Sequence, residues 1–483
     1  MSISGALSNA ISGLTAASRS AEVVSTNIAN AMTEGYGHRS VALSSRGQYG
    51  SGGVGIDGIV RRSDPVVLAD RRLAEGQDAN AQRMLGFFET MEKNIGIPSE
   101  PGSLAFQVAE FETSLIAAAS MPSANERLQA VSYAAKALTD TFNNLSDGIQ
   151  SARKQADQNI SDLIGSVNAN LQKIERLNVA IVQASANRQD TSALVDQRQL
   201  ALDSVATIIP VRIMPRDNGQ IGVYSTGGAA LVDGKAAVLS FTASNAITAH
   251  TTLDGGMLSP LSVNGKTIDT RADGALGGGL LAAEFEIRDK LGVSLQSDLD
   301  AMARDLVERF QSTAMDPTLA PGAAGLFTDA GAAFSGTDAT GLSGRLSINA
   351  LADASQTTEM WRLRDGLGAV APGAASDTTL LLAMKDQMAG ATSLADATHL
   401  GGAYSVHAFA SQLASVVGAQ RVSQEDSVAF SSARLGALQE QEMAQGVDTD
   451  QEMQRLLLIE QTYAANARVI QVVDELMETL LGL

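Results

Sequence analysis

Residues able to do covalent chemistry are few and scattered. The chain has no Cys, which excludes thiolate nucleophiles, disulfides and Cys-ligated metals. His38, His250, His399 and His407 lie far apart, without the HxxxH or HExxH spacing that sets metal ligands on one helix face. Acids are plentiful, but none sits in a recognisable catalytic spacing. The glycine pattern GSGGVGIDG at 50–58 has no strand–turn–helix context and no GK[ST], so it is not a phosphate loop. A net charge of −19 opposes contact with phosphates or anionic membranes, and one Trp leaves little for base stacking. We therefore expect no enzyme, no cofactor, no metal and no nucleic acid. What remains is the chemistry of association.

Its strongest carrier is the last stretch, Gly446 to Leu483. Leu456, Ile459, Tyr463, Asn466, Ile470, Val473, Met477 and Leu480 are spaced three, then four, with no Pro and no Gly before Gly482. That spacing predicts a helix with one narrow seam, as in a coiled coil. Asp448 or Thr449 caps its start, and Asp450 and Glu452 suit the positive end of its dipole. A polar Asn466 inside the seam fixes register at some cost in stability. A seam needs a partner, and the other end of the chain has one. Ile3, Leu7, Ala10, Leu14, Ala17, Ala21, Val24 and Ile28 repeat the same spacing. The simplest arrangement pairs first helix with last, both frayed until assembly orders them.

Between these ends the grammar changes several times. After the first helix, Gly35 and Gly37 bracket Tyr36 in a turn, and Ser40 to Ser44 alternates like a strand. Helical spacing returns through Met84, Phe87, Phe88, Met91 and Ile95, then through Leu104, Val108, Phe111 and Leu115. Residues 128–181 keep close to a heptad repeat, with Gly148 and Gly165 as weak points. A helix of about 55 residues would span roughly 80 Å, which implies a rod. Ser192 to Val205 returns along it. From Thr207 the period is two, with turns at Asp217-Asn218-Gly219, Asp233-Gly234 and Asn264-Gly265. Gly277 to Gly279 reads as a flexible joint, Leu281 to Phe310 as helix, and Ala320 to Asn349 as strands completing the β domain. His407 to Val417 and Ser423 to Gln445 are further helices.

The expected fold is thus α+β and elongated: a long helical, coiled-coil rod built from both chain ends and the middle helices, with an inserted antiparallel β domain. Its divisions are an N-terminal axial helix and turn (1–63), a long-helix rod (64–206), a first β part (207–275), a returning helix (276–316), a second β part (317–372) and a C-terminal helical rod with axial helix (373–483). No run of about 18 apolar residues predicts a membrane span, and MSISGALSNAISG lacks the features of a Sec signal.

Three stretches resemble a known family. Ala29-Asn30-Ala31-Met32-Thr33-Glu34-Gly35-Tyr36-Gly37-His38-Arg39 resembles the ANxxTxGYxR segment of bacterial flagellar rod, hook and hook-associated proteins. Gln461-Thr462-Tyr463-Ala464-Ala465-Asn466-Ala467-Arg468-Val469-Ile470, with Asp474 to Met477 and Leu480-Leu481 after it, is similar to the ending of the same axial proteins. Ile174 to Asn178, Leu194 to Arg198 and Gly446 to Asp450 resemble the long-helix section and last-helix lead of the hook-associated protein 1 family. Gln451 replaces a family acid, and Thr191-Ser192 stand where the family carries Asn-Asp.

The resemblance implies a structural, secreted component of the flagellum, forming the junction between hook and filament. It implies lateral copies of itself, hook protein, hook-associated protein 3, an export chaperone and the type III export apparatus as partners. It implies an extracellular flagellar location without membrane insertion. Asn27, Asn30, Thr33, Gly35, Tyr36 and Arg39 are then the expected assembly motif, turning the axial helix into the next layer. Leu456, Ile459, Gln461, Tyr463, Asn466, Ile470, Val473, Met477 and Leu480 form the expected axial helix, with Tyr463 and Asn466 setting register. The alternatives are a hook or distal-rod protein of the same superfamily, a glycan-acting enzyme, or a secreted adhesin or stalk.

Overall fold

The computed structural model describes residues 3–33, 35–46, 52–271, 274–336 and 338–482. Helix α1 (Ile3–Ala29) leads into a hairpin of β1 (Arg39–Ser45) and β2 (Val54–Arg61). Helix α2 (Pro65–Ile95) starts where Asp64 accepts from the Val66 and Val67 N–H groups, with Pro65 at the first helical position. It stops at Gly96, whose φ of +77° ends the helix in a conformation costly to a Cβ. Ser103 caps α3 (Leu104–Ser120).

Helix α4 (Asn125–Ala186) is the spine of the molecule. It has 62 residues, about 90 Å at 1.5 Å per residue, and overruns the expected segment at both ends. Gly148 is not a weak point in it: a Cβ there would meet Asn94 Nδ2 at 2.7 Å, so the glycine admits α2. Helix α5 (Ser192–Ile208) doubles back along the far half of α4. Its start is tied by Asp190, whose Oδ1 accepts from Ser192 N and Oγ, while Thr191 provides no side-chain cap.

The expected β grammar holds from Val211. Strands β3 (Val211–Pro215), β4 (Ile221–Ser225), β5 (Ala230–Asp233) and β6 (Lys235–Ala236) form an antiparallel sheet in that order. Strands β7 (Leu239–Ser240), β8 (Ser262–Val263) and β9 (Lys266–Thr267) form a second. Asn218, Asn264, Gly219, Gly234 and Gly265 take positive φ at the turns.

Two expectations are corrected here. Gly279 is no flexible joint: a Cβ there would stand 2.5 Å from the Ile208 carbonyl oxygen, so close packing selects the glycine. The segment 320–349 does not complete the first β domain. Its strands β10 (Phe327–Asp329) and β11 (Leu346–Ile348) pair only with each other. Phe327 packs instead on Phe111 and Phe310, with ring centroids 5.6 and 5.0 Å away, so an aromatic cluster draws this segment to the opposite half of α4.

Between these β regions, α6 (Leu280–Glu286) and α7 (Gly292–Gln311) are joined by a π turn, Ile287–Leu291. The fully buried Arg288 on that turn reaches Asp157 of α4 at 2.8 Å. Gly292 leaves room for the aliphatic stem of Arg153, also fully buried, whose guanidinium donates to the carbonyls of Arg288, Thr248 and Thr251. Burial pushes the Arg153 guanidinium down to about 10.

Two apolar cores result. One gathers α2, α3, the first half of α4, α7 and the β10–β11 pair; the other gathers the second half of α4, α5, the four-stranded sheet and α6. The short α8 (Arg362–Asp365) and α9 (Thr379–Ala389) close the first core, with Leu400 from the loop between β12 (Thr392–Ser393) and β13 (Ala403–Tyr404). The two segments expected between 407 and 445 are one unbroken helix, α10 (Val406–Ala444). It lies antiparallel on α2, joined by polar contacts: Arg421 to Glu92 (2.8 Å), Ser431 and Ser432 to Asp78 (2.7 and 2.6 Å) and Glu442 to Arg71 (2.6 Å). Helix α11 (Thr449–Leu481) ends the described chain. It lies on α1, outside both cores.

Candidate assembly site

The two ends of the chain meet as an antiparallel helix pair. Asp448 caps α11 by accepting from Asp450 N and Gln451 N, so Asp448 rather than Thr449 takes that role. Ala10, Ala17 and Val24 of the α1 seam are buried, and their small side chains allow close approach. Gly13 faces Asn466, whose Nδ2 donates to Thr462 O within α11. Of the other expected α11 positions, Leu456, Ile459 and Ile470 are half-buried and Val473 is buried. Gln461, Tyr463, Met477 and Leu480 are exposed.

The motif after α1 builds a hydrogen-bonded hub. Asn27 is fully buried at the end of α1. Its Nδ2 donates to Arg39 O and to Glu452 Oε2, both at 2.8 Å. Its Oδ1 accepts from Tyr36 OH (2.8 Å) and Arg39 N (3.2 Å). Every polar atom of this amide is thereby satisfied, as burial requires. Glu452, 3 % exposed, also lies 3.1 Å from His38 Nε2. Burial raises the Tyr36 phenol above its ordinary value, Arg39 lowers it, and the Asp196, Glu452 and Asp190 carboxylates raise it further.

A second set of contacts fastens the hub to the spine. Asp196 of α5 takes Arg39 at 2.6 Å and Arg61 of β2 at 2.7 Å, and accepts from Gly37 N at 3.3 Å. Arg39 also stacks over the Tyr36 ring, 4.6 Å from its centroid. Gly35 has φ of +75°, and a Cβ there would strike Leu200 of α5 at 2.7 Å. Asn30 and Thr33 shape the turn: Asn30 Nδ2 donates to Thr26 O, Thr33 Oγ1 to Asn30 Oδ1, and Tyr36 N to Thr33 O. Beside the hub a cleft of about 560 Å³ opens between this turn, α2, α5 and the α10–α11 corner.

Three partners in this hub were missed in the sequence. Glu452 reads there as a dipole-compensating acid on an exposed first turn, yet it is a buried acceptor. Asp196 and His38 carry no local signal, because both act across more than 130 residues of chain. The one available hint was the unpaired basic pair, Arg39 and Arg61, flanking a short hairpin.

Helix α11 also carries a second stripe. Leu458, Thr462, Ala465, Val469, Val472 and Leu476 repeat by four and three on a face that α1 leaves bare. Leu458 is 62 % exposed and Leu476 48 %. No helix among the described residues is long and apolar enough to cross a membrane.

Comparison with known proteins locates these features. Residues 88–325 match the helical domain of the flagellar hook-associated protein FlgK, residues 7–36 the flagella basal body rod protein family, and residues 443–483 the C-terminal region of the flagellar basal body rod FlgEFG proteins. These matches make the chain similar to the flagellar hook-associated protein 1 family. Flagellar hook-associated protein 1 of Escherichia coli K12 is 25 % identical over 288 residues, covering 57 % of this chain and 52 % of that protein. That of Salmonella typhimurium is 27 % identical over 248 residues, covering 49 % and 44 %, and that of Bacillus subtilis 21 % identical over 245 residues, covering 47 % of each. The chain spans about half the length of the hook-associated protein 1 relatives it matches. The flagellar hook junction protein FlgK of Burkholderia pseudomallei aligns in three dimensions with a TM-score of 0.45 at 18 % identity, covering 54 % of this chain and 46 % of that one.

Proposed function

We propose that this chain is a structural subunit of the bacterial flagellum that builds the junction zone between hook and filament. It acts by association and performs no catalysis. The observation that carries this reading is the antiparallel pairing of α1 with α11, clamped at Asn27 and Glu452 and bearing a second, uncovered six-residue stripe. One seam of α11 is used within the subunit, and the other is free for neighbours. Side-by-side contacts of unlike surfaces close into a ring or climb as a helix, which is the geometry of a tube wall. The α4 spine supplies the long lateral edge beyond that wall.

Within this reading, Asn27, Asn30, Thr33, Gly35, Tyr36 and Arg39 act as the joint that holds the axial pair at a fixed angle to the spine. Leu456, Ile459, Asn466, Ile470 and Val473 hold α11 to α1. Gln461, Tyr463, Met477 and Leu480 face neighbouring subunits. Copies of this chain lie beside each other, hook protein lies beneath, and hook-associated protein 3 lies above. The chain reaches this extracellular location through the type III export apparatus with a chaperone.

Electron microscopy of a strain lacking the chain tests the proposal. The expected result is bare hooks, with flagellin shed into the medium and filaments restored by the intact gene. Normal filaments in the deletion strain refute it.

A further inference from the structure

A second groove lies on α1, on a side that α11 does not line. Leu7 and Ile11 on that face, with Val54 and Ile56 of β2, line a groove of about 480 Å³. Ser8, Ser12, Thr15 and Arg46 line it as well. Ile11 is 50 % exposed. The hairpin is held against α1 by Val54 N, which donates to Ser12 Oγ at 3.1 Å, so the groove has a fixed second wall. Between Ile3 and Ser18, α1 carries no charged residue. The Arg46 guanidinium has no ion-pair partner among the described residues.

The uncovered stripe of α11 complements this groove in three respects. It is apolar at heptad spacing, so its partner is an elongated surface with helical periodicity. Ala465 breaks up its larger side chains, which permits close approach. From Val469 onward α11 is acidic, with Asp474, Glu475 and Glu478 exposed, and no base follows Arg468. These acids lack ion-pair partners among the described residues, as Arg46 does.

We propose that the groove between α1 and β2 receives the outward stripe of α11, from Val469 to Leu480, of a second copy of this chain. The contact joins two different surfaces, so it propagates around a tube. It rests on the reading of the chain as a flagellar subunit, and adds which surfaces of that subunit meet.

The absence of native Cys makes cross-linking a clean test. Two versions, Ile11→Cys and Leu476→Cys, are co-expressed in the deletion strain, and isolated flagella are oxidised. The expected product is a mixed dimer joining residue 11 to residue 476, which only two copies can form. Ile56→Cys with Val472→Cys repeats the test should Ile11→Cys disturb α1. Arg46→Glu should abolish the mixed dimer, and Glu475→Arg in the other copy should restore it. Dimers of Leu476→Cys with itself would place α11 against α11 and overturn the inference. So would flagella that contain the chain but give no mixed dimer with either pair. Flagella that lack the chain altogether would instead overturn the functional reading, and this inference with it.

Discussion

Asn466 of α11 lies so close over Gly13 of α1 that a Cβ on residue 13 would stand 2.8 Å from both heteroatoms of its amide. The same step along both helices, from 13 to 27 and from 466 to 452, brings Asn27 to Glu452 at 2.8 Å. One contact fixes register by shape and the other by hydrogen bonding. A slip of one turn would break both, taking from the buried Glu452 carboxylate its Asn27 donor and leaving one Asn27 amide hydrogen unpaired.

The shape contact predicts that Gly13→Val separates the helices. Overpacking of this kind costs about 1–3 kcal/mol, or about 5- to 150-fold in an equilibrium constant. Hydrogen exchange of the assembled chain should show faster exchange in α11 and unchanged exchange in α4. Asn466→Ala should recover part of the loss in a Gly13→Ala background, where the added Cβ meets a smaller neighbour. Equal exchange in wild type and Gly13→Val would show that the contact does not set register.

The hydrogen-bonded contact predicts a graded response at residue 452. Glu452→Gln keeps one acceptor oxygen for Asn27 or His38, whereas Glu452→Leu keeps none. Leaving these buried donors unpaired costs about 1–3 kcal/mol. Limited proteolysis should cut near the α10–α11 corner faster in Glu452→Leu than in Glu452→Gln, and slowest in wild type. The reverse order would show that packing, not hydrogen bonding, holds this end of α11.

Tyr36 gives the hub an alkaline signature. Burial comes first among the causes that raise its phenol above the ordinary value, and the neutral form donates to Asn27. A folded value above the unfolded one contributes stability that is fully present below about pH 10 and is lost as pH rises through the folded value. Tyr36→Phe should therefore cost about 1 kcal/mol at neutral pH through the lost hydrogen bond and flatten the loss above pH 10. Thermal melts across pH 8–12 would read both effects. A Tyr36→Phe curve parallel to wild type would place the alkaline loss elsewhere.

Removal of residues 450–483 should leave both cores intact, because α11 contributes to neither. The truncated chain should remain soluble, melt cooperatively and fail to reach the hook–filament junction. Circular dichroism of the intact purified chain should show less helix than the assembled form, since ordering costs about 1–2 kcal/mol per residue until neighbours offset it. Equal helicity would show that the terminal pair is complete before assembly.

Much of this architecture was legible because its signals are local. Heptad spacing announced α4, α1 and α11, and turn residues announced the hairpins of β3 to β9. The phenylalanine face of α2 and the apolar face of α3 bury as their spacing required. What periodicity could not supply was which half of α4 each β segment would join. Phe327 settles that by packing on Phe111 and Phe310, a choice invisible in the alternation of its own strand. The Gly-Gly-Gly run at 277–279 misled for a related reason. Composition there suggests flexibility, while Gly279 is required by the Ile208 carbonyl that approaches from α5. In the hub, the residues within one short segment were visible, and those acting across the fold, Asp196 and Glu452, were not.

The hydrogen bond from Asn27 to Glu452 spans 425 positions of sequence. A copy that stops short of α11 keeps both cores but loses that bond, and its first helix keeps only the hairpin to lie on. Within the proposed assembly, a shortened copy has no clasp to close and lacks the outward stripe of α11 that a neighbour's groove is to receive.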